Sequence, residues 1–151
     1  MPGGMPVADT RTVGAIERLV TAAVGLTTRT LAQARVASDI TLPQWRALVV
    51  VAQADGIRVG EIGARVGLGL PAASRLVRRL ERRGLVTTER DERDRRATVV
   101  RPTDRGRRLW RDVEEHRCRL IEAMLDARTE PLPERLPEGL EELASTLSRY
   151  A

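Results

Sequence analysis

Gly67-Leu-Gly-Leu-Pro-Ala-Ala-Ser-Arg-Leu-Val-Arg-Arg-Leu-Glu-Arg-Arg-Gly84, followed by Leu85-Val-Thr-Thr-Glu-Arg90, Asp91-Glu-Arg-Asp-Arg-Arg96 and Ala97-Thr-Val-Val-Arg101, decides the fold. Gly67, Leu68 and Gly69 make a turn. Pro71 opens a helix where its missing N–H costs nothing, and Gly84 stops it, so the spacing predicts a helix over 71–83. At about 100° per residue, Ala73, Leu76, Val77 and Leu80 share one side of that helix. Pro71, Arg75, Arg78 and Arg82 fall on the opposite side, with Arg79 next to them. The flanking segments 85–90 and 97–101 are rich in Val and Thr and favour strands, and the polar run 91–96 between them turns the chain into a hairpin.

Upstream, Val13, Ile16, Val20, Ala23, Val24, Thr27, Leu31 and Ala34 recur at steps of three and four, the period of one helical face about seven turns long. Thr41-Leu-Pro-Gln44 resembles a capping box and opens a helix through Trp45, Leu48, Val49, Val51 and Ala52 that ends at Asp55-Gly56. A short helix with Ile62, Ala64 and Val66 leads into the glycine turn. Downstream, Thr103-Asp104 caps a second long helix carrying Leu109, Val113, Leu120, Ile121 and Met124. Pro131, Pro133 and Pro137 interrupt the chain before a last helix with Leu140, Leu143 and Leu147. The expected fold is mainly α with a small β-hairpin wing, a winged helix-turn-helix core flanked by N- and C-terminal helices.

Composition narrows the function classes. The 151 residues suit one compact domain, and with no Phe and only 2% aromatic residues the core must be aliphatic. The same scarcity argues against binding single strands by stacked aromatics. The net charge is +5, and all the basic residues are Arg, a preference that coding bias explains; placement says more. From Arg75 to Arg108 there are 13 Arg and 6 acids, whereas from Asp112 to Ala151 there are 10 acids and 5 Arg, so only the middle of the chain invites an anionic partner. Cys118 and His116 are the sole cysteine and histidine, which excludes an internal disulfide and a Cys/His zinc site. No apolar run approaches the roughly 20 residues of a membrane span and no signal peptide is visible, so a cytoplasmic protein without a membrane partner is expected.

A helix with its apolar side fixed to a core and an arginine row facing out is suited to the major groove of duplex DNA. Arg takes both acceptors of a guanine edge, worth about 1 to 3 kcal/mol of discrimination per good pair. Arg75 is the first candidate for that contact, and Ser74, on the flank, is a candidate for a phosphate or a base. At the hairpin tip Arg93, Arg95 and Arg96 stand among Asp91, Glu92 and Asp94. The acids are expected to brace some guanidinia while Arg93 or Arg95 probes the electronegative minor groove. Asp91 and Asp94 as a metal pair are disfavoured by the three neighbouring Arg. No catalytic constellation is visible, so no enzyme and no cofactor are expected; the rival reading is a winged helix used for protein contacts in a larger assembly.

Leu42-Pro-Gln-Trp45, Val59-Gly-Glu-Ile62, Ser74-Arg-Leu-Val77, Leu80-Glu-Arg-Arg-Gly-Leu-Val86, the run 91–96 and Thr103-Asp-Arg-Gly106, in this order and spacing, resemble the core of the MarR family. Residues 1–8, rich in Pro and Gly, read as a disordered lead; the resemblance implies a single domain over 9–151, with dimerisation helices at 9–37 and 104–151 and a DNA-binding winged region at 41–102. It further implies a homodimer on a pseudo-palindromic operator, repression as the default, and release by a small, often aromatic, acid. Arg18, Arg46 and His116 are the candidate partners for such an effector. Two departures bear on specificity: Gly69-Leu70-Pro71 lacks the serine that often caps the recognition helix, and Arg78 stands where an acid is common. Some relatives sense oxidants through a cysteine near the N-terminus; Cys118 lies instead in the late helix, between Arg117 and Arg119, and is read as passive.

Overall fold

A computed structural model describes residues 9–33, 40–54, 56–91, 94 and 96–150. The expected lead over 1–8 and the helix end at Asp55 lie outside these. Among the described residues the chain runs α1 (Thr10–Gln33), α2 (Leu42–Ala52), β1 (Ile57–Arg58), α3 (Val59–Val66), α4 (Leu70–Arg82), β2 (Val86–Arg90), β3 (Thr98–Pro102), α5 (Asp104–Asp126) and α6 (Leu136–Tyr150). No helix among them is long and apolar enough to cross a membrane.

The core lies where α2, α3 and α4 meet the sheet and the start of α5. Leu48, Val51, Ile62, Leu80, Val86, Val100 and Val113 are fully buried there. Each such side chain contributes about 1.5 to 3 kcal/mol of transfer free energy. Trp45 is buried among these aliphatic groups, and Gln44 beside it accepts the Thr41 N–H at 3.1 Å, the expected glutamine half of the cap on α2.

The anticipated hairpin is part of a three-stranded antiparallel sheet of order β1-β3-β2. Val86 pairs with Pro102 and Arg90 with Thr98, while Ile57 and Arg58 pair with Val100 and Val99. A strand of two residues carries no periodicity, which is why β1 escapes a reading by pattern. The turn between α3 and α4 follows the glycines: Gly67 adopts φ 72°, a left-handed conformation that costs other residues strain. The next helix starts at Leu70, one residue before Pro71, with the Gly69 carbonyl accepting the Ala72 and Ala73 N–H groups at 3.0 Å. Pro71 still lies in the first turn, so its missing donor remains harmless.

Thr103 joins the winged region to α5. Its hydroxyl accepts the Gly106 N–H at 3.0 Å and donates to the Gly84 carbonyl at 2.7 Å, while its own N–H reaches the Leu85 carbonyl at 3.1 Å. The start of α5 is thereby pressed onto the end of α4, so closely that a Cβ at Gly106 would stand 2.1 Å from the Leu85 carbonyl oxygen.

The terminal helices are poorly covered. Only Thr30 and Leu31 of α1 are buried, and Val13, Leu19, Val20 and Val24 are exposed. In α6 no described side chain is buried, Leu140, Leu143 and Leu147 are exposed, and no other described element packs extensively against it.

Gly106→Ala is expected to lower stability by about 3 kcal/mol, because the obstacle is backbone rather than a movable side chain. Gly60→Ala, with nothing within 4 Å of the added carbon, is expected to raise stability by roughly 0.5 kcal/mol. Urea denaturation of the two variants checks both signs.

Candidate nucleic-acid interface

Burial of Ala73, Leu76, Val77 and Leu80 fixes the rotation of α4 about its axis. Pro71, Arg75, Arg78, Arg79 and Arg82 are consequently exposed along its other side. Glu81, the sole acid of α4, is turned to β2, where it accepts the Thr88 hydroxyl. Among the described residues no carboxylate lies within ion-pair distance of the four arginines. An anion arriving at this face therefore meets guanidinia whose donors are not already committed to protein acids.

Ser74 sits at the edge of the row, and its hydroxyl donates to the Leu70 carbonyl at 2.8 Å, leaving its oxygen free to accept. Ser74 and Arg96 line one cleft of about 500 Å³ between the start of α3, the start of α4 and the wing, together with Arg58, Glu61, Leu70 and Asp94. Two of the residues named from sequence, one on the helix and one on the wing, are thus brought to a common groove. Arg93 and Arg95 lie outside the described residues.

Of the residues expected to pair wing acids with wing guanidinia, Glu92, Arg93 and Arg95 lie outside the described ones, and the contacts of Asp91 and Asp94 include the following. The Asp91 carboxylate grips Arg58, which belongs to β1, with Nε at 2.8 Å and Nη2 at 2.7 Å from the same oxygen. This hydrogen bond and the charge of Asp91 hold the Arg58 guanidinium above its ordinary pKa. Lower on the wing, Arg101 donates to Glu89 at 2.7 Å across the β2–β3 pair. Asp94 accepts the Arg96 N–H at 3.0 Å, a backbone contact that leaves the Arg96 side chain exposed. Sequence reading missed Arg58; the available signal was an arginine at the start of a helix whose third residue onward is Glu61, a place where a short oxygen-bearing side chain is usual.

The three candidate effector residues do not converge. Arg46 lines a cavity of about 510 Å³ between α1, α2 and α5, with Trp45, Trp110, Arg65 and Arg117. Its Nη2 donates to the Arg65 carbonyl at 3.4 Å. Arg18 lies further toward the start of α1, beside Gly14. The His116 Nε2 faces Gln33 Oε1 at 3.3 Å and ties α5 to α1 instead of lining the cavity. Cys118 is exposed on α5.

A family model described as MarR family matches residues 38–97. Over 109 residues the chain is 27% identical to the uncharacterized HTH-type transcriptional regulator YfiV of Bacillus subtilis, the match covering 72% of this chain and 68% of that protein. Over 71 residues it is 38% identical to the HTH-type transcriptional regulator TtmR of Methylorubrum extorquens, covering 47% of this chain and 36% of the relative. Among solved structures, RV1404 of Mycobacterium tuberculosis superposes with a TM-score of 0.79 at 25% identity, covering 92% of this chain and 95% of that one. FabT of Streptococcus pneumoniae, solved in complex with DNA, gives 0.72 at 21% identity over 95% of this chain and all of that one. NadR, solved in complex with 4-hydroxyphenylacetate, gives 0.69 at 21% identity over the full length of both. The two structures at 21% identity share the fold. With the glycine turn, the outward arginine row and the wing in one chain, the winged core over residues 38–97 matches the MarR family, the relatives named above are HTH-type transcriptional regulators, and the chain shares the fold of a solved MarR family protein.

Proposed function

We propose that the protein is a homodimeric repressor that sets α4 of each copy into the major groove of a pseudo-palindromic duplex and is released by a small acidic effector. The observation that carries the reading is the outward row Arg75, Arg78, Arg79 and Arg82, unpaired with carboxylates among the described residues while the opposite side of the helix is buried. In this reading Arg75, near the helix start, reads a guanine edge; Pro71 and Ser74 approach the backbone or a neighbouring base; Arg78, Arg79 and Arg82 hold phosphates. Arg93, Arg95 and Arg96 of the wing serve the adjacent minor groove. FabT bound to DNA supports the partner by analogy of fold.

Two copies are favoured by the uncovered leucine row of α6. A 15-residue amphipathic helix is marginal in water unless its apolar side is buried, and its own chain supplies little to bury it. Paired terminal helices would hold two recognition helices about one duplex turn apart, around 34 to 36 Å. For the effector, the cavity lined by Arg46 combines two indole rings and three guanidinia with one carboxylate, Glu114, so that arginines outnumber acids and the lining favours a flat carboxylate. NadR with 4-hydroxyphenylacetate supports the ligand class by the same analogy. Repression follows where the bound dimer covers promoter DNA.

Binding to the duplex flanking its own gene should fall roughly a thousandfold between 50 and 200 mM salt, as several released counterions require. Arg75→Ala should relax base preference, costing about 1 to 3 kcal/mol on the preferred site alone, whereas changing Arg93 and Arg95 together should weaken all duplexes evenly. Fluorescence anisotropy across salt checks this; a salt-independent or absent interaction would point to protein docking instead.

Leu143→Asp combined with Leu147→Asp should convert the dimer to a monomer in sedimentation and remove operator binding while the winged core stays folded. Because Trp45 and Trp110 both line the cavity, benzoate-type acids should change the intrinsic fluorescence and lower operator affinity, and Arg46→Ala should blunt both responses. A fluorescence change that leaves DNA affinity untouched would contradict the release mechanism.

A further inference from the structure

Arg58 stands at the N-cap of α3, where Ser, Thr, Asp or Asn normally offers an oxygen to the first N–H groups. An arginine side chain has no acceptor to give, and this helix start is served instead by Glu61, whose carboxylate accepts the Arg58 N–H at 3.1 Å. The guanidinium is used elsewhere. It reaches the end of β2 and places both Nε and Nη2 on Asp91 Oδ2, at 2.8 and 2.7 Å.

Asp91 is more than a counterion. Its side chain is only 12% exposed. Its second oxygen, Oδ1, accepts the Asp94 N–H at 3.2 Å. The Asp91 N–H in turn reaches the Ala97 carbonyl at 3.0 Å, and the Ala97 N–H reaches the Asp94 carbonyl at 2.8 Å. One carboxylate therefore closes the wing loop with one oxygen and fastens it to the helix-turn-helix with the other. The strand pairing that supports this link is short, because β1 is two residues long and pairs with Val99 and Val100 of β3.

We infer that Arg58 is a positioning residue that sets the angle of the wing against α3 and α4 through Asp91, so that recognition helix and wing engage one duplex together. The inference rests on the DNA-binding reading above. Arg58, Ser74 and Arg96 line the same cleft, so any swing of the wing about this bridge changes the spacing between the helix contact and the wing contact. Two N–H groups held on a shielded carboxylate are the strong, charge-assisted kind of hydrogen bond, which is what a strut requires.

The test combines amide hydrogen exchange without DNA and operator affinity with it, in the full chain. Arg58→Ala should raise exchange at Asp94 and Ala97 about fivefold, the equivalent of a partly exposed ion pair, while Val100 keeps its protection. Its operator affinity should fall roughly tenfold, and Arg58→Lys should recover part of the loss. Asp91→Asn retains Oδ1 as an acceptor but removes the charge, and should weaken binding to a similar degree. The double variant should be no worse than the weaker single one. Unchanged exchange at Asp94 and Ala97 in Arg58→Ala would overturn the strut, as would additive losses. Tighter binding by Asp91→Asn would also overturn it, by showing the freed guanidinium to be a direct phosphate contact. Failure of the wild-type protein to bind any duplex would instead sink the DNA reading, and the exchange comparison would still decide whether Arg58 holds the wing.

Discussion

The packing of one side of α4 into the core sets the terms for everything on its other side. Leu76, Val77 and Leu80 lie against α2, α3 and the sheet, and with Ala73 they leave the helix a single rotational setting. At this setting the arginines have no choice but to face solvent. A rotation by one residue would submerge a guanidinium at a cost of several kcal/mol, far beyond what a surface contact returns. The direction of the arginine row is thus a by-product of hydrophobic burial, and it is maintained whether or not an anionic partner is present.

Two further constraints turn a correctly rotated helix into a usable face. The α3–α4 turn is compressed, with a Cβ at Gly63 reaching within 2.6 Å of the Leu68 carbonyl oxygen. This brings the starts of both helices to one side of the molecule. Thr103 then anchors the exit from the wing to the end of α4 through the Gly84 carbonyl, so β3 cannot drift relative to the recognition helix without breaking the cap on α5. The wing root is fixed by backbone and hydroxyl bonds, while its tip depends on side-chain charge at Asp91.

The elements that a single periodicity defines were legible in the sequence. The apolar steps of α1, α4, α5 and α6 are long enough to speak for themselves, and the Gly67 and Gly84 stops could be assigned because positive φ leaves few alternatives. Less legible were features made by contact between distant segments. The strand β1 is defined only by its partner Val100, and Arg58 only by Asp91, 33 residues away. The cavity under Arg46 brings together α1, α2 and α5, so no local pattern could show that Arg18 and His116 stand apart from it while Arg65 and Arg117 line it. Sequence patterns report one helix face at a time, whereas these sites are shared between faces.

This sharing gives the cavity its mechanical interest. Its floor, Trp45 and Val49, belongs to α2, which packs directly on α4; its wall, Val20, Ala23 and Val24, belongs to α1, which makes its main contact with α5. A molecule held between floor and wall touches both the winged core and the poorly covered terminal helices. In the proposed dimer, those two parts must keep a fixed relation for both recognition helices to meet one duplex. A bound acid can alter DNA affinity only to the extent that it prefers a different relation, and the cavity is placed where such a preference would act directly. Tight binding alone would accomplish nothing: a ligand equally at home in both arrangements would occupy the cavity and leave the duplex bound.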